Sequence, residues 1–288
     1  MYASELKCFR SFCDTFGVAP LPASEGTVKR FVAIFRDPSS AEKYLTAIRW
    51  AHDFAGLKIN FDSRSLKQVL RGAFKLKGPP AQVRAILWPL LRRLVRHASS
   101  RGQCEQSCAY VLAANFLFRV PSELIPLRFD NVDVHSSVKE FVEDGRPVLE
   151  ISLKSRKNRP RGSVLRRACR CPGDQLLCPV HALRALLAAQ GRSRRVGKVF
   201  SLNITGFTRK LREHLSALEV DDPAAYASHS FRRGSAQQLL KDGGRLAHIL
   251  RAGEWRSASF LDYQDKELID QAAVLDLIIE ADSGDESD

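Results

Sequence analysis

Apolar positions recur at helical spacing through the first quarter of the chain. In residues 1–77 they predict four short helices, within LKCFRSFCDTFG, TVKRFVAIFRD, AEKYLTAIRWAHDFAG and SLKQVLRGAFKLK. Ser39 with Glu42 predicts a capping box at the third helix, and Asp62 or Ser63 predicts the cap of the fourth. This part of the chain is therefore expected to form a helical bundle.

A stiff segment, Gly78-Pro79-Pro80, interrupts the helical pattern. Because proline disrupts a helix interior, residues 78–84 are predicted to be a linker between two domains. Helical spacing resumes in WPLLRRLVRHASS and CEQSCAYVLAANFLF, and the second of these is apolar along nearly its whole length. A helix that is apolar on every side is buried, so we predict it at the centre of the second domain.

Short alternating runs replace the helical pattern between residues 132 and 164. EFVED and GRPVLEISL, joined by Asp144-Gly145, predict a small antiparallel sheet with a hairpin turn. Helical spacing returns at residues 179–190 and continues through GFTRKLREHLSALEV, HSFRRGSAQQLLKDGG, RLAHILRAG, SASFLDYQDKEL and LIDQAAVLDLIIEA. The predicted fold class is mainly α with a small antiparallel β-sheet (α+β).

The charge balance narrows the class of partner. The 288 residues include 45 lysines and arginines against 32 acids, which gives a formal charge of +13. An acidic tail at residues 280–288 holds five of the acids and no base, so the rest of the chain is more basic still. This excess favours a polyanion such as DNA. No apolar run approaches the roughly 18 to 20 residues of a membrane span and no signal-peptide pattern is present, so we expect an intracellular protein without a membrane partner.

Seven cysteines without an export signal indicate reduced thiols or metal ligands instead of disulfides. Four soft ligands, Cys169, Cys171, Cys178 and His181, lie within thirteen residues and predict a structural zinc site. The spacing is not one of the common zinc patterns. Cys178 followed by proline is also an ordinary helix start, with proline in the first turn, so both interpretations stay open.

The densest candidate chemistry lies in residues 228–263. His229 and Arg232 stand three apart at the start of a predicted helix, which places both side chains on one face near an end that favours anions. Trp255 follows in a Gly-Glu-Trp-Arg turn, and Tyr263 comes eight residues later. Each residue alone has an ordinary explanation: a helix cap, a core indole or a surface phenol. Their order suggests a phosphate site.

Two further segments carry charge that suits the same site. Arg119 begins Arg-Val-Pro-Ser-Glu, ending at Glu123, and precedes LIPLRFDNVDV. The alternative interpretation is a buried ion pair between Arg119 and Glu123 that holds a loop. Residues 154–170 follow the predicted hairpin and hold eight lysines or arginines and no acid. A basic run is commonly a solvated surface, and its position after a strand is what makes it a candidate.

In this order, the segments resemble the catalytic half of the tyrosine recombinases, or phage-type integrases. HSFRRG, GEWRS and FLDY are most similar to the Crypton-like eukaryotic branch. The resemblance implies a helical, SAM-like core-binding domain for DNA at residues 1–77 and a catalytic integrase-like domain at residues 85–279. One feature departs from the family, whose acid usually follows the first arginine by three residues and not four. The local backbone at Pro121 is therefore expected to differ.

The resemblance implies a site-specific recombinase or integrase that cuts and rejoins DNA through a 3′-phosphotyrosine intermediate, with no cofactor required for catalysis. Tyr263 would be the nucleophile, and Arg119 and Arg232 would hold the phosphate. His229 would accept or shuttle the proton of Tyr263. Lys157, preferred over Lys154, would protonate the departing 5′ oxygen.

Supporting roles follow from the same resemblance. Trp255 would donate an indole N–H to the phosphate, and Glu123 would orient His229 or an arginine. Exposed bases expected to contact DNA are Lys43, Arg49, Lys154, Arg156, Arg159 and Arg161. The partners would be double-stranded DNA and, on it, a homotetramer, with the nucleus as the expected location. Two alternatives remain: a catalytically inactive, domesticated DNA-binding protein, and a type IB topoisomerase, which needs no synapse.

Overall fold

The computed structural model describes residues 2–35, 37–57, 60–61, 63–77, 83–129, 136–156, 159–191 and 196–255. The chain divides into two compact units, Met1–Ala81 and Gln82–Asp288. In the described part of the chain, no helix has both the length and the apolar character needed to cross a bilayer.

The first unit contains the four predicted helices. They are α1 (Ala3–Thr15), α2 (Glu25–Ala33), α3 (Pro38–Phe54) and α4 (Arg64–Lys77). Their apolar faces meet around Phe31, whose ring centroid lies 5.0 to 5.6 Å from those of Phe9, Phe12, Phe35 and Tyr44. Aromatic pairs at this spacing stabilise a small core by more than the burial of their surface area alone provides.

The helix caps of this unit confirm one prediction and correct another. Ser63 Oγ accepts a hydrogen bond from the backbone N–H of Leu66 at 3.2 Å, as expected for the cap of α4. The capping box predicted at Ser39 is wrong, because α3 begins at Pro38 and Asp37 caps it through the N–H of Ser40. Proline suits the first turn, where no backbone N–H is needed, and this sets the earlier start.

The second unit is built on one central helix. In the residues that the structure describes, its α-helices are α5 (Trp88–Ser100), α6 (Cys104–Asn115), α7 (Pro179–Ala189), α8 (Ile204–Ala217), α9 (His229–Lys241) and α10 (Leu246–Gly253). Residues 106–114 of α6 are all buried, and the helix contacts α5, α7 and α9. Tyr110 of α6 stacks on Phe231 of α9 with 5.1 Å between ring centroids. The prediction that this apolar segment lies at the centre is confirmed.

Three antiparallel strands form the sheet: β1 (Ser137–Glu143), β2 (Arg146–Leu153) and β3 (Ser163–Ala168), in the order β1-β2-β3. The predicted hairpin joins the first two. Its turn residues Asp144 and Gly145 have φ of 50° and 72°, as a type I′ turn requires at both central positions. β3 escaped prediction because Leu165 is its single buried residue, so apolar alternation is absent.

A close backbone approach fixes the start of α9. The Ile86 N–H donates to the Ser230 carbonyl at 3.0 Å. A side chain at Gly234 would place its Cβ 2.0 Å from the Ile86 carbonyl oxygen, so only glycine allows this contact. The segment before α5 therefore positions the first turn of α9, which carries His229.

His214 of α8 is a buried, neutral base in the core of this unit. Its Nε2–H donates to Gln103 Oε1 at 2.6 Å, and its Nδ1 lies 3.1 Å from the Tyr110 hydroxyl, which donates to it. Burial lowers the pKa of His214 to about 4, with neighbouring His97 and Lys210 adding to the effect. Since Nδ1 can accept from the Tyr110 hydroxyl only in the neutral ring, protonation breaks that hydrogen bond.

We expect acid to destabilise the second unit through His214. Above its ordinary pKa of about 6.5 the ring is neutral in both the folded and unfolded chain and has no effect. As pH falls from there to about 4, only the unfolded chain binds the proton, so the free energy of unfolding falls by about 3 kcal/mol. Urea unfolding at a series of pH values measures this. His214→Gln should flatten the profile, whereas His248→Gln, at an exposed position, should not; equal profiles in all three proteins would contradict the assignment.

Candidate active site

The segment after α6 presents Arg119 and then turns through a single π-helical turn, Val120–Leu124. The Ile125 N–H donates to the Val120 carbonyl at 3.0 Å, which is an i to i+5 bond. Such a turn holds one residue more than an α-helical turn, and π turns are frequent at functional sites. The π turn is the local backbone difference that the four-residue spacing from Arg119 to Glu123 predicts at Pro121.

Glu123 is the charged centre of the site. Its side chain is 2% exposed. Oε1 accepts from Arg119 Nη1 at 2.9 Å and from Arg156 Nε at 3.1 Å, while Oε2 accepts from Arg156 Nη2 at 3.0 Å and from the Arg119 backbone N–H at 2.9 Å. Burial opposes its ionisation, but the hydrogen bonds and charge of Arg156, followed by those of Arg119, outweigh burial and hold the pKa of Glu123 below its usual range. The ion pair with Arg119 that the alternative interpretation expected is present, and a role of Glu123 in orienting an arginine at the site stays a prediction.

Arg156 requires a correction. It was expected to contact DNA phosphate, but its side chain is 1% exposed, and Nη1 lies 3.2 Å from Glu254 Oε2 in addition to the two bonds to Glu123. The β2–β3 connection holds it there, since Arg156 and Arg159 exchange backbone hydrogen bonds of 2.9 Å. A buried charge between two carboxylates cannot reach a phosphate without breaking those pairs. Arg156 therefore ties the basic connection to Glu123.

Arg232 also lies deeper than the sequence indicates. Its side chain is fully buried, Nη1 donates to the Leu117 carbonyl, and Nη2 donates to the Gly253 carbonyl at 2.7 Å. The guanidinium carbon lies 4.1 Å from the ring centre of Trp255, a distance that favours cation–π attraction. Arg232 was expected to hold a phosphate, but its guanidinium is not open to one in this structure. Trp255 is buried as well, and its ring packs against the Arg232 guanidinium.

His229 occupies the first position of α9 and is exposed. Partial desolvation lowers its pKa, and the charges of Arg232 and Arg119 lower it further, against an opposing effect of Glu123. Arg119, Arg232 and Glu123 thus all act on the charge of His229. A lowered pKa keeps the imidazole neutral near pH 7, so it can accept a proton.

The other predicted DNA contacts lie on both units. Lys154, Arg159 and Arg161 are exposed on the connection between β2 and β3. In the first unit, the Lys43 ammonium pairs with Glu5, and the Arg49 guanidinium lies 5.6 Å from the ring centre of Phe61. All five side chains are exposed, as phosphate contacts require. Lys43 and Arg49 also make contacts within the first unit.

Two predicted residues lie outside the described residues, and one partner was missed. Lys157 and Tyr263 lie outside the described residues, as do the final predicted helices and the acidic tail. Glu254 was quoted within GEWRS without a role, yet it forms the second carboxylate beside Arg156. An acid next to the candidate tryptophan was the available signal.

The four predicted zinc ligands do come together, with all donor atoms within 4.8 Å of one another.

The fold is similar to that of a solved structure of the Tn1549 transposon integrase in complex with transposon right end DNA. The alignment has a TM-score of 0.61 at 10% sequence identity and covers 97% of this chain and 93% of that chain. No known family and no curated protein matches the sequence. At this identity the likeness shows a shared fold. It is the mainly α fold with a small antiparallel sheet that the sequence predicts, similar to that of tyrosine recombinases.

Proposed function

We propose that the protein is a site-specific DNA recombinase or integrase of the tyrosine type, which cuts and rejoins double-stranded DNA through a 3′-phosphotyrosine intermediate. The observation that carries this proposal is that Arg119, Arg232 and Glu123 lie close enough to His229 to act on its charge, while Glu123 holds Arg119 and Arg156 in ion pairs. They come from three segments of a fold that is similar to an integrase solved on DNA. The proposed location is the nucleus, where a eukaryotic chain of this kind would meet its substrate.

The proposed reaction is a phosphoryl transfer without a cofactor. The Tyr263 oxygen attacks the phosphorus, the bond to the 5′ oxygen breaks, and a 3′-phosphotyrosine ester forms. His229 takes the tyrosine proton, and Lys157 gives a proton to the departing 5′ oxygen; each step contributes roughly 10²–10⁴-fold. Because one phosphate ester replaces another, a 5′ hydroxyl of a second strand can reverse the reaction. Exchange between two duplexes would use four protomers.

Arg119 is the residue best placed to meet the phosphate. Its side chain is 18% exposed, and Glu123 holds it through one terminal nitrogen and through its backbone N–H. A guanidinium fixed in this way stabilises the charge that grows on the non-bridging oxygens without reorganising at the moment of reaction. Glu123 therefore acts as a positioning residue for Arg119.

A second function is favoured by one observation, the full burial of Arg232. A recombinase needs both arginines at the phosphate, whereas here two nitrogens of Arg232 donate to backbone carbonyls. In a domesticated, non-cutting DNA-binding protein, this arginine would serve only to hold α9 against residues 117 and 253. Contact with DNA phosphates would then depend on the exposed bases alone.

Trapping on nicked DNA separates the two functions. In a duplex nicked just 3′ of the cut site, cleavage releases the short fragment that carries the new 5′-hydroxyl, so rejoining is prevented. The protein then stays covalently attached and migrates with DNA under denaturing electrophoresis. A covalent adduct supports the recombinase. Binding in native gels with no adduct on any nicked duplex supports the non-cutting protein, and the absence of both contradicts DNA as the substrate.

The exposed β2–β3 connection gives a separate test of DNA binding. Arg159→Glu should weaken binding to all DNA sequences alike and reduce the salt slope by about 1, since it would remove one phosphate contact. Binding isotherms at several salt concentrations measure both effects. Arg101→Glu, an exposed arginine at the end of α5 with the same change of charge, is the matched control. Equal losses in the two variants would assign the effect to net charge and contradict a local contact.

A further inference from the structure

Three cysteines and a histidine meet between the sheet and α7. Cys169 and Cys171 follow β3 directly, Cys178 caps α7, and His181 lies in its first turn. Their four ligand atoms lie within 4.8 Å of one another. His181 Nδ1 is 3.8 Å from Cys169 Sγ and 3.9 Å from Cys171 Sγ.

These distances are close to those of a tetrahedral zinc site. With Zn–S bonds of about 2.3 Å and a Zn–N bond of about 2.0–2.1 Å, neighbouring ligands of a tetrahedron are roughly 3.6–3.8 Å apart. We propose that Cys169, Cys171, Cys178 and His181 bind one zinc ion that stabilises the fold of the second unit. This inference does not depend on the proposed DNA chemistry.

The ligand set favours a structural role. Three thiolates and one imidazole are soft donors that select zinc over magnesium, calcium or manganese. Four protein ligands fill a tetrahedral site and leave no position for a reacting water. Cys178 is 8% exposed and the other three ligands are half-buried, so solvent has little access to the centre.

The segment that carries the ligands has no regular secondary structure to hold its shape. Residues 169–178 form neither helix nor strand. Its described backbone bonds include one at each end, from Cys169 N–H to the Pro147 carbonyl at 2.7 Å and from Cys178 N–H to the Gln175 carbonyl at 3.0 Å. A metal that joins both ends to the first turn of α7 adds a strong constraint, because binding energy at such sites is folding energy.

The same segment supports the end of α6. Asn115, the last residue of α6, donates from Nδ2 to the Leu177 carbonyl at 3.0 Å, and its own carbonyl accepts from Arg167 Nε of β3 at 2.9 Å. Leu177 precedes the proposed ligand Cys178, and Asn115 stands four residues before Arg119. Zinc would therefore stabilise the helix end that leads into the charged site.

Metal content and stability test the site on the full chain. Protein purified under reducing conditions with zinc in the medium is expected to hold about one zinc ion per chain by mass spectrometry of the metals. A strong chelator should lower its melting temperature, and added zinc should restore it. Replacement by cobalt(II) should give the intense visible absorption of a tetrahedral thiolate complex, which reports ligation without any mutation.

Cys171→Ser should lose the bound zinc and the cobalt spectrum, whereas Cys8→Ser should keep both. Cys8 is an exposed free cysteine of the first unit, so it controls for the loss of a thiol. Less than about 0.2 zinc per chain, together with an unchanged melting temperature after chelation, would overturn the proposal. A disulfide among the three cysteines of the reduced preparation would overturn it equally, because a disulfide removes two ligands. Neither result bears on trapping with DNA.

Discussion

Glu123→Gln is expected to lower the free energy of unfolding of the second unit by about 3 to 5 kcal/mol, the usual effect of removing one partner of a buried ion pair. The carboxylate accepts four hydrogen bonds from two arginines while nearly fully buried. A neutral amide of the same size keeps one acceptor oxygen but faces Arg156 with N–H donors. The positive charge of Arg156, which is 1% exposed, would lose its closest compensation.

Urea unfolding of wild type, Glu123→Gln and Glu143→Gln measures this effect. Glu143 pairs with Arg166 at 3.4 Å, but both side chains are about half exposed, so its loss should change stability by less than about 1 kcal/mol. A double-mutant cycle of Glu123→Gln with Arg156→Met should give a coupling of about 1 to 3 kcal/mol. Equal stabilities of the two glutamine variants would mean that the buried charges do not hold the site together.

The elements that were predicted correctly are those whose local sequence pattern is compatible with only one structure. α6 is buried on all sides over residues 106–114 and hydrophobic from Cys108 to Ala114, which is typical of a central helix. Asp144-Gly145 between alternating runs fits one tight turn. The two incorrect predictions also have local causes. β3 was missed because a single buried residue, Leu165, gives no apolar period. The start of α3 was misplaced because Ser39 is a plausible cap so close to the true start at Asp37-Pro38.

The site shows a different limit. The order of the motifs brought Arg119, His229 and Arg232 to one neighbourhood, but the direction of a side chain depends on partners from distant segments. Arg156 points inward because Glu123, 33 residues earlier, accepts its hydrogen bonds. Arg232 points inward because Leu117 and Gly253 offer carbonyl oxygens. A basic run has the same composition whether its arginines face DNA or a buried carboxylate, so no local pattern separates the two.

The structure also narrows the choice of nucleophile. Of the five tyrosines in the sequence, Tyr2 and Tyr44 belong to the first unit. In the second unit, Tyr110 is fully buried and burial raises its pKa, and Tyr226 is 7% exposed within the hydrophobic core. A tyrosine that attacks DNA must reach the phosphate and lose its proton readily. Tyr263 lies outside the described residues. It is the recombinase-like order of motifs that selects it as the proposed nucleophile.

Tyr263→Phe is therefore expected to abolish the covalent adduct on nicked DNA, by at least about 10³-fold, because the attacking oxygen is removed. The ring remains, so binding in native gels should stay within about twofold of wild type if that oxygen serves the covalent step and not the contact with DNA. Tyr226→Phe keeps the buried ring in the core and should form the adduct at a rate close to wild type. The adduct is measured by denaturing electrophoresis of labelled DNA, with both variants assayed at equal bound fractions. If Tyr263→Phe still became attached to DNA while Tyr226→Phe did not, the nucleophile would be Tyr226, which would have to leave the hydrophobic core to reach DNA.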